Sequence, residues 1–215
     1  MKKAGLFLLF LFSLGFYVFA QTQETWTSLG FEFGNYFENF QDSRNTYIGS
    51  AGISLNFYFF EYGKKVGFFN RNSFLFPVLK TSDSNNFVYG TQMVFVLGPA
   101  FRYMFSEKLT LQSGIGINFY GIYIDYTEGS YTYPVSSMVL GLGADFGLKI
   151  DVNDIVFLNV GTAFSFNFLN TFSVSSMPSV IENWVDGYMA FEVKPYVCIG
   201  INAYTENFRY GKSKK

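Results

Sequence analysis

The sequence predicts an all-β protein, a closed antiparallel up-and-down transmembrane β-barrel of eight strands. Three observations lead there. Aromatic residues make up 22% of the 215 residues and charged residues only 14%, against about 25% charge in ordinary soluble domains. That is too little charge to cover a water-facing surface. No segment after the first twenty residues has the run of about 18 or more apolar residues that a membrane-spanning helix needs. From Trp26 onward, bulky apolar residues alternate with small or polar ones at a period of two, the mark of a strand with two unlike faces.

The elements follow in order. Residues 1–20 read as a secretory signal peptide. Lys2-Lys3 is a basic start, residues 4–19 are almost wholly apolar, and Val18-Phe19-Ala20 offers a cleavage site before Gln21. The alternative is an N-terminal membrane anchor, but the stretch is shorter than a usual span and polar residues follow it. Residues 21–211 then form one barrel domain, and 212–215 a short basic tail.

The strands are expected at 26–38, 46–59, 66–79, 89–105, 109–124, 135–150, 155–169 and 187–205. Leu29, Phe31 and Phe33 oppose Gly30, Glu32 and Gly34. Ala51, Ile53, Leu55, Phe57 and Phe59 oppose Gly52, Ser54, Asn56 and Tyr58. Leu111, Ile115 and Ile117 oppose Gln112, Gly114 and Gly116. Leu140, Leu142 and Phe146 oppose Gly141, Gly143 and Asp145. Leu158, Val160 and Phe164 oppose Asn159, Gly161 and Ser165. Residues 66–79 are the least regular, because Asn70 and Asn72 share a face with Phe68, Phe74 and Phe76. Each strand is long enough to cross a bilayer at a tilt. The gaps 39–45, 80–88, 125–134 and 170–186 are longer than 60–65, 106–108 and 151–154, as expected of long external loops and short periplasmic turns.

Seven charges lie well inside strands: Glu32, Arg71, Arg102, Asp145, Lys149, Glu192 and Lys194. All fall on the small, polar face. A charge at mid-depth in lipid costs about 2–4 kcal/mol, so the polar face must be the lumen and the Phe-rich face must meet outer-membrane lipid. Trp26, Phe59, Phe60, Tyr62, Phe101, Tyr103 and Phe105 at one set of strand ends, and Phe37, Tyr47, Tyr89, Tyr123, Phe168 and Trp184 at the other, are expected to form interfacial belts. Pro77, Pro99 and Pro195 each remove a ladder donor, and Gly98-Pro99 marks a candidate bulge.

In this pattern the mature chain resembles the small eight-stranded bacterial outer-membrane barrels of the OmpX, OmpA-transmembrane and OmpW kinds. The resemblance implies an outer-membrane location, both termini in the periplasm, long loops on the cell surface and a barrel-insertion machinery as partner. That group commonly ends on an aromatic residue. Here Phe208 and Tyr210 are followed by Gly211-Lys212-Ser213-Lys214-Lys215.

The chemistry on offer is limited. The chain has no His and one Cys. That closes the His-dependent routes of the membrane-barrel proteases, phospholipases and acyltransferases, and it leaves no His/Cys metal cluster. A Ser-Lys or paired-carboxylate mechanism stays formally open, but no loop cluster argues for it. We expect no enzyme, no cofactor and no metal; Asp125 and Glu128 in the third long loop supply too few oxygens for calcium. Loss of Lys2 and Lys3 with the leader takes the net charge from −1 to −3, 13 basic against 16 acidic residues, so no nucleic-acid partner is expected. Cys198 falls on the inward face as a small packing residue.

Four basic and three acidic inward charges in a lumen just wide enough for side chains suggest a plug of mutual ion pairs. The alternative is a narrow pore with a charged constriction. Gly114, Gly116, Gly141, Gly143 and Gly147 leave room along one wall, either as a thin channel or as space for Tyr58, Phe69, Tyr188 and Tyr196. A secreted soluble barrel binding a hydrophobic ligand is a further alternative. Function outside the lumen falls to the loops 125–134 and 170–186. Phe172, Met177, Ile181 and Trp184 are the candidate contacts with an extracellular partner, unless that loop folds back over the barrel mouth.

Overall fold

The computed structural model describes residues 24–39, 45–82, 87–128, 130–174 and 189–204. Eight antiparallel strands close on themselves in the order β1 to β8, with β8 paired back onto β1. They are β1 Glu24–Asn39, β2 Asn45–Phe60, β3 Val66–Ser82, β4 Phe87–Met104, β5 Leu109–Glu128, β6 Tyr131–Asp151, β7 Val156–Val174 and β8 Met189–Tyr204. Closure leaves no free edge, the condition a sheet must meet to span a bilayer. Below, the base is the end where β1 starts and the mouth the end where it finishes.

All eight predicted strands are present, but one predicted loop is largely strand and another begins as strand. Residues 125–134 are not an open loop: β5 runs to Glu128 and β6 starts at Tyr131, with Glu128 opposite Tyr131. Asp125 and Glu128 are therefore ladder residues. Residues 170–174 belong to β7, where Phe172 pairs with Ser137, and the rest of 170–186 lies outside the described residues. The regular alternation of long and short gaps is lost accordingly. Turn-forming and polar residues drew the boundaries too early, because backbone pairing propagates a hairpin ladder without an alternation of apolar residues.

The base turns are tight. Gly63 takes a left-handed φ of 72°, and Lys64 N–H donates to the Glu61 carbonyl at 3.1 Å. In the β6–β7 turn, Asn153 Oδ1 accepts from the amides of Ile155 and Val156, an Asx turn. The prolines act on the ladder in different ways. Pro77 sits at a register shift opposite Gly49/Ser50. Gly98-Pro99 is not a bulge: the β4–β5 register is the same on either side, and only the pairs opposite Pro99 drop out. Pro195 interrupts the β1–β8 ladder in the same way. Both prolines point outward, so each deletes a donor without moving the strand.

The outward face is bulky and apolar. Phe31 is 71% exposed, and Phe33, Phe76, Ile115, Leu142, Phe146, Val197 and Ile199 are exposed beside it. Tyr62, Phe101, Tyr103 and Phe105 ring the base and Phe37, Tyr123 and Phe168 the mouth side. Trp26 and Phe60 do not join the base belt. They point inward and are buried, because each shares the parity of its strand's polar face.

Candidate functional site

Among the described residues, the buried charges gather in the lumen. The seven charges predicted to face inward all point into it and are buried. They do not form a single cluster but three layers, the lower two both using β1 and β6 and the uppermost using β7 and β8.

At the base, Arg102 on β4 binds Glu24 on β1 at 2.6 Å. It also donates to the carbonyls of Lys64 at 2.8 Å and Glu61 at 3.4 Å. Its guanidinium lies 4.5 Å from the Phe60 ring centre and 5.4 Å from that of Trp26. Lys149 on β6 pairs with Asp151 at 2.5 Å. Its ammonium sits 4.6 Å from the Trp26 ring and 4.9 Å from that of Phe157. Three rings and two cations thus close the base, each cation placed on a ring face.

At mid-height, the Arg71 fork binds Glu32 through Nη2 at 2.7 Å and Asp145 through Nη1 at 2.9 Å. This ties β3 to β1 and to β6 across the barrel. Asp145 also accepts from the hydroxyls of Tyr58 and Tyr196, and Ser73 donates to Glu32 at 2.8 Å. The guanidinium lies 4.1 Å from the Tyr196 ring centre. A planar fork suits two carboxylates on opposite walls as a lysine would not.

Nearer the mouth, Lys194 binds Glu192 at 2.5 Å and Ser165 Oγ at 2.8 Å, and Ser165 donates to Glu192. Ser165 and Lys194 are the pair a Ser-Lys mechanism would use. Here Lys194 Nζ donates to both neighbours, the Ser165 hydroxyl is committed to Glu192, and all three residues are buried. Above them Tyr36 stacks on Tyr120, ring centres 4.8 Å apart and planes at 18°, among buried Ile48, Leu75, Val94 and Val139.

Sequence reasoning missed Glu24 and Asp151, which complete the base pairs and bring the lumen's paired groups to four cations against five carboxylates. Parity was the available signal. Glu24 continues the Trp26–Ser28–Glu32 face and Asp151 the Lys149 face, but both had been assigned outside the strands. The glycine wall holds no thin channel at the positions where rings cover it. A Cβ on Gly114 would come within 2.5 Å of the Phe69 ring, and one on Gly161 would collide with the Tyr196 hydroxyl. Phe157 covers Gly200 in the same way. Tyr188 lies outside the described residues. Cys198 is buried, its Sγ 3.4 Å from Ser54 Oγ and from Asn56 Nδ2.

Among the described residues, no group of three or more His, Cys, Asp or Glu side chains is placed to hold a metal ion. Of the surface candidates, Phe172 lies within β7, and Met177, Ile181 and Trp184 lie outside the described residues.

No family model matches the sequence, and no curated protein does. Solved structures do match. The chain has the fold of the small eight-stranded outer-membrane barrels. It is similar to Ail, the attachment invasion locus protein of Yersinia pestis, solved in complex with the heparin analogue sucrose octasulfate. The TM-score is 0.51 at 12% identity, over 85% of this chain and 100% of that one. Neisserial surface protein A gives 0.51 at 8% identity, over 81% and 96%. A major outer membrane protein from Thermus thermophilus gives 0.50 at 12% identity, over 82% and 99%. At these identities the likeness is one of fold.

Proposed function

We propose that this protein resides in an outer membrane as a closed, non-conducting barrel whose role is structural or surface-interactive. The observation that carries this reading is the filled lumen. Ion-paired charges in three layers and rings seated on glycines occupy the axis from Trp26 to Tyr36. An eight-stranded barrel has an interior that side chains alone can fill, and buried charges that are paired and hydrogen-bonded stay closed unless a partner is removed. The exposed Phe-rich face supports lipid as the outer partner. It argues against a soluble barrel, which would turn its charge outward.

Planar-bilayer recording on refolded protein tests the reading. The wild type is expected to give no steady conductance. Steady open-channel current would favour the narrow-pore reading instead.

A surface role is favoured by the height of one side. β5, β6 and β7 have 20, 21 and 19 residues, against 16 in β1 and β2. Their excess rises past the mouth as a paired sheet with Tyr123 and Tyr131 exposed. The complex of Ail with a sulfated sugar supports asking the same of this flap, the surface we propose for an extracellular partner.

A further inference from the structure

We propose that the outward-facing pair Asn70–Asn72 on β3 is the centre of a contact with a second copy of this chain in the plane of the membrane. The inference rests on the reading that this face meets lipid. Phe69, Arg71 and Ser73 point into the lumen and are buried, so alternation puts Phe68, Asn70, Asn72 and Phe74 outside. The two asparagines flank Arg71, at the height of the middle layer. Their neighbours across the ladder are apolar: Phe57 and Leu97 lie opposite Asn70, and Leu55 and Phe95 opposite Asn72. Hydrocarbon offers a carboxamide no hydrogen bond, so one placed there is costly unless protein supplies the partner.

The pair satisfies itself only in part. Asn72 Nδ2 donates to Asn70 Oδ1 at 2.6 Å and to the Leu55 carbonyl at 3.5 Å. Asn70 Nδ2 reaches the Val96 carbonyl at 3.5 Å, a long and weak bond. Each carboxamide carries two donor hydrogens and an oxygen with two lone pairs. Asn70 therefore keeps one hydrogen and one lone pair uncommitted. Asn72 is only 9% exposed, while Asn70 is half-buried. Asn70 is thus the group that a neighbour can reach, and Asn72 fixes its orientation from beneath.

Whatever completes Asn70 must both donate and accept at this depth. A lipid chain does neither. A second copy does both, because a carboxamide is complementary to itself. Two chains inserted the same way are related by a two-fold axis along the membrane normal, which brings Asn70 to Asn70 at one depth. The surroundings are prepared for contact. Phe57 stacks on Phe59, ring centres 6.2 Å apart and planes at 11°, and Phe95 packs edge-on against Phe119 at 6.1 Å. Rings already held by one another lose little freedom on association.

Disulfide cross-linking in phosphatidylcholine–phosphatidylglycerol vesicles, at high lipid excess, tests this. On a Cys198→Ser background, Leu97→Cys puts a thiol beside Asn70, and Val160→Cys puts one on β7, on the opposite wall. Under mild oxidation Leu97→Cys should form a dimer and Val160→Cys should not. Adding Asn70→Leu should cut the Leu97→Cys dimer roughly tenfold, the loss of two hydrogen bonds between membrane-embedded chains. The barrel should still shift on boiling. If that variant does not insert, Asn70→Ala serves, with the same fall expected. Embedded, heat-modifiable protein that yields only monomer would overturn the proposal and leave the membrane assignment standing. Protein that washes off the vesicles in carbonate would overturn both. Equal cross-linking at Val160→Cys, or a dimer undiminished by the loss of Asn70, would also overturn it.

Discussion

At the scale of the residue, parity and pairing decide what each charge does. Arg71 is the residue on which most depends, since its fork is the one cation on both Glu32 and Asp145. Arg71→Ala would leave two buried carboxylates facing each other across the lumen. We expect a loss of roughly 3–5 kcal/mol of stability, read as a lower urea midpoint for unfolding in detergent. Arg71→Lys should recover only part of it, because one ammonium cannot reproduce two forked contacts. A variant as stable as the wild type would show the layer to be dispensable. Arg102→Ala removes the Glu24 pair and two carbonyl contacts at the base. Trp26 and Phe60 would lose the cation held on their faces, and quenching of Trp26 fluorescence by acrylamide should rise; unchanged quenching would place the seal elsewhere. The residue scale was only partly legible in the sequence. Glu32, Asp145 and Lys194 announced their side by alternation. Glu24 and Asp151 obeyed the same alternation, but Glu24 follows the polar run Gln21-Thr22-Gln23 and Asp151 adjoins turn-forming Asn153-Asp154, and composition there outweighed period.

At the scale of the element, the strands were legible where burial and lipid exposure enforce opposite faces, and illegible where neither does. The bodies of β1, β2, β5 and β7 could be read residue by residue. The end of the β5–β6 hairpin, Tyr126 to Tyr133, could not, because its Tyr, Thr, Glu, Gly and Ser residues do not alternate between apolar and polar. Shortening that hairpin tests its independence. Replacing residues 126–133 by a two-residue Asn-Gly turn should leave a barrel that still runs compact unheated and shifts on boiling, with a urea midpoint close to wild type. Failure to refold would mean that the hairpin nucleates the sheet. The glycines under rings belong to this scale too, because Gly114 and Gly200 are seats shaped by side chains of other strands. Gly114→Val would drive a branched side chain into the Phe69 ring, which a Cβ alone already approaches to 2.5 Å. A loss of about 1–3 kcal/mol is expected, measured by the same unfolding curve. No loss would mean that Phe69 has room to swing aside and that the lumen is looser than its packing implies. From the sequence alone this wall read equally as channel or seat; the choice depends on which opposite side chains reach across, and strand pairing at a distance fixes that.

At the scale of the whole molecule, the fold class needed only composition and alternation, since little charge, no helical span and a period of two admit few alternatives. What the molecule does was far less visible, because charges that pair with one another in the lumen carry no mark of a substrate or partner. The account rests on the sides to which the faces are assigned. The most direct test is spin labelling in a lipid bilayer, on a Cys198→Ser background, with Phe31→Cys, Ile115→Cys and Ile199→Cys as outward sites and Ser28→Cys and Asn118→Cys as inward ones. Labels at the three outward sites should collide freely with dissolved oxygen and not with a water-borne nickel chelate, while those at the two inward sites should be immobile and meet neither. Nickel access at Phe31, Ile115 and Ile199, with oxygen access at Ser28 and Asn118, would contradict the assignment and the barrel reading with it.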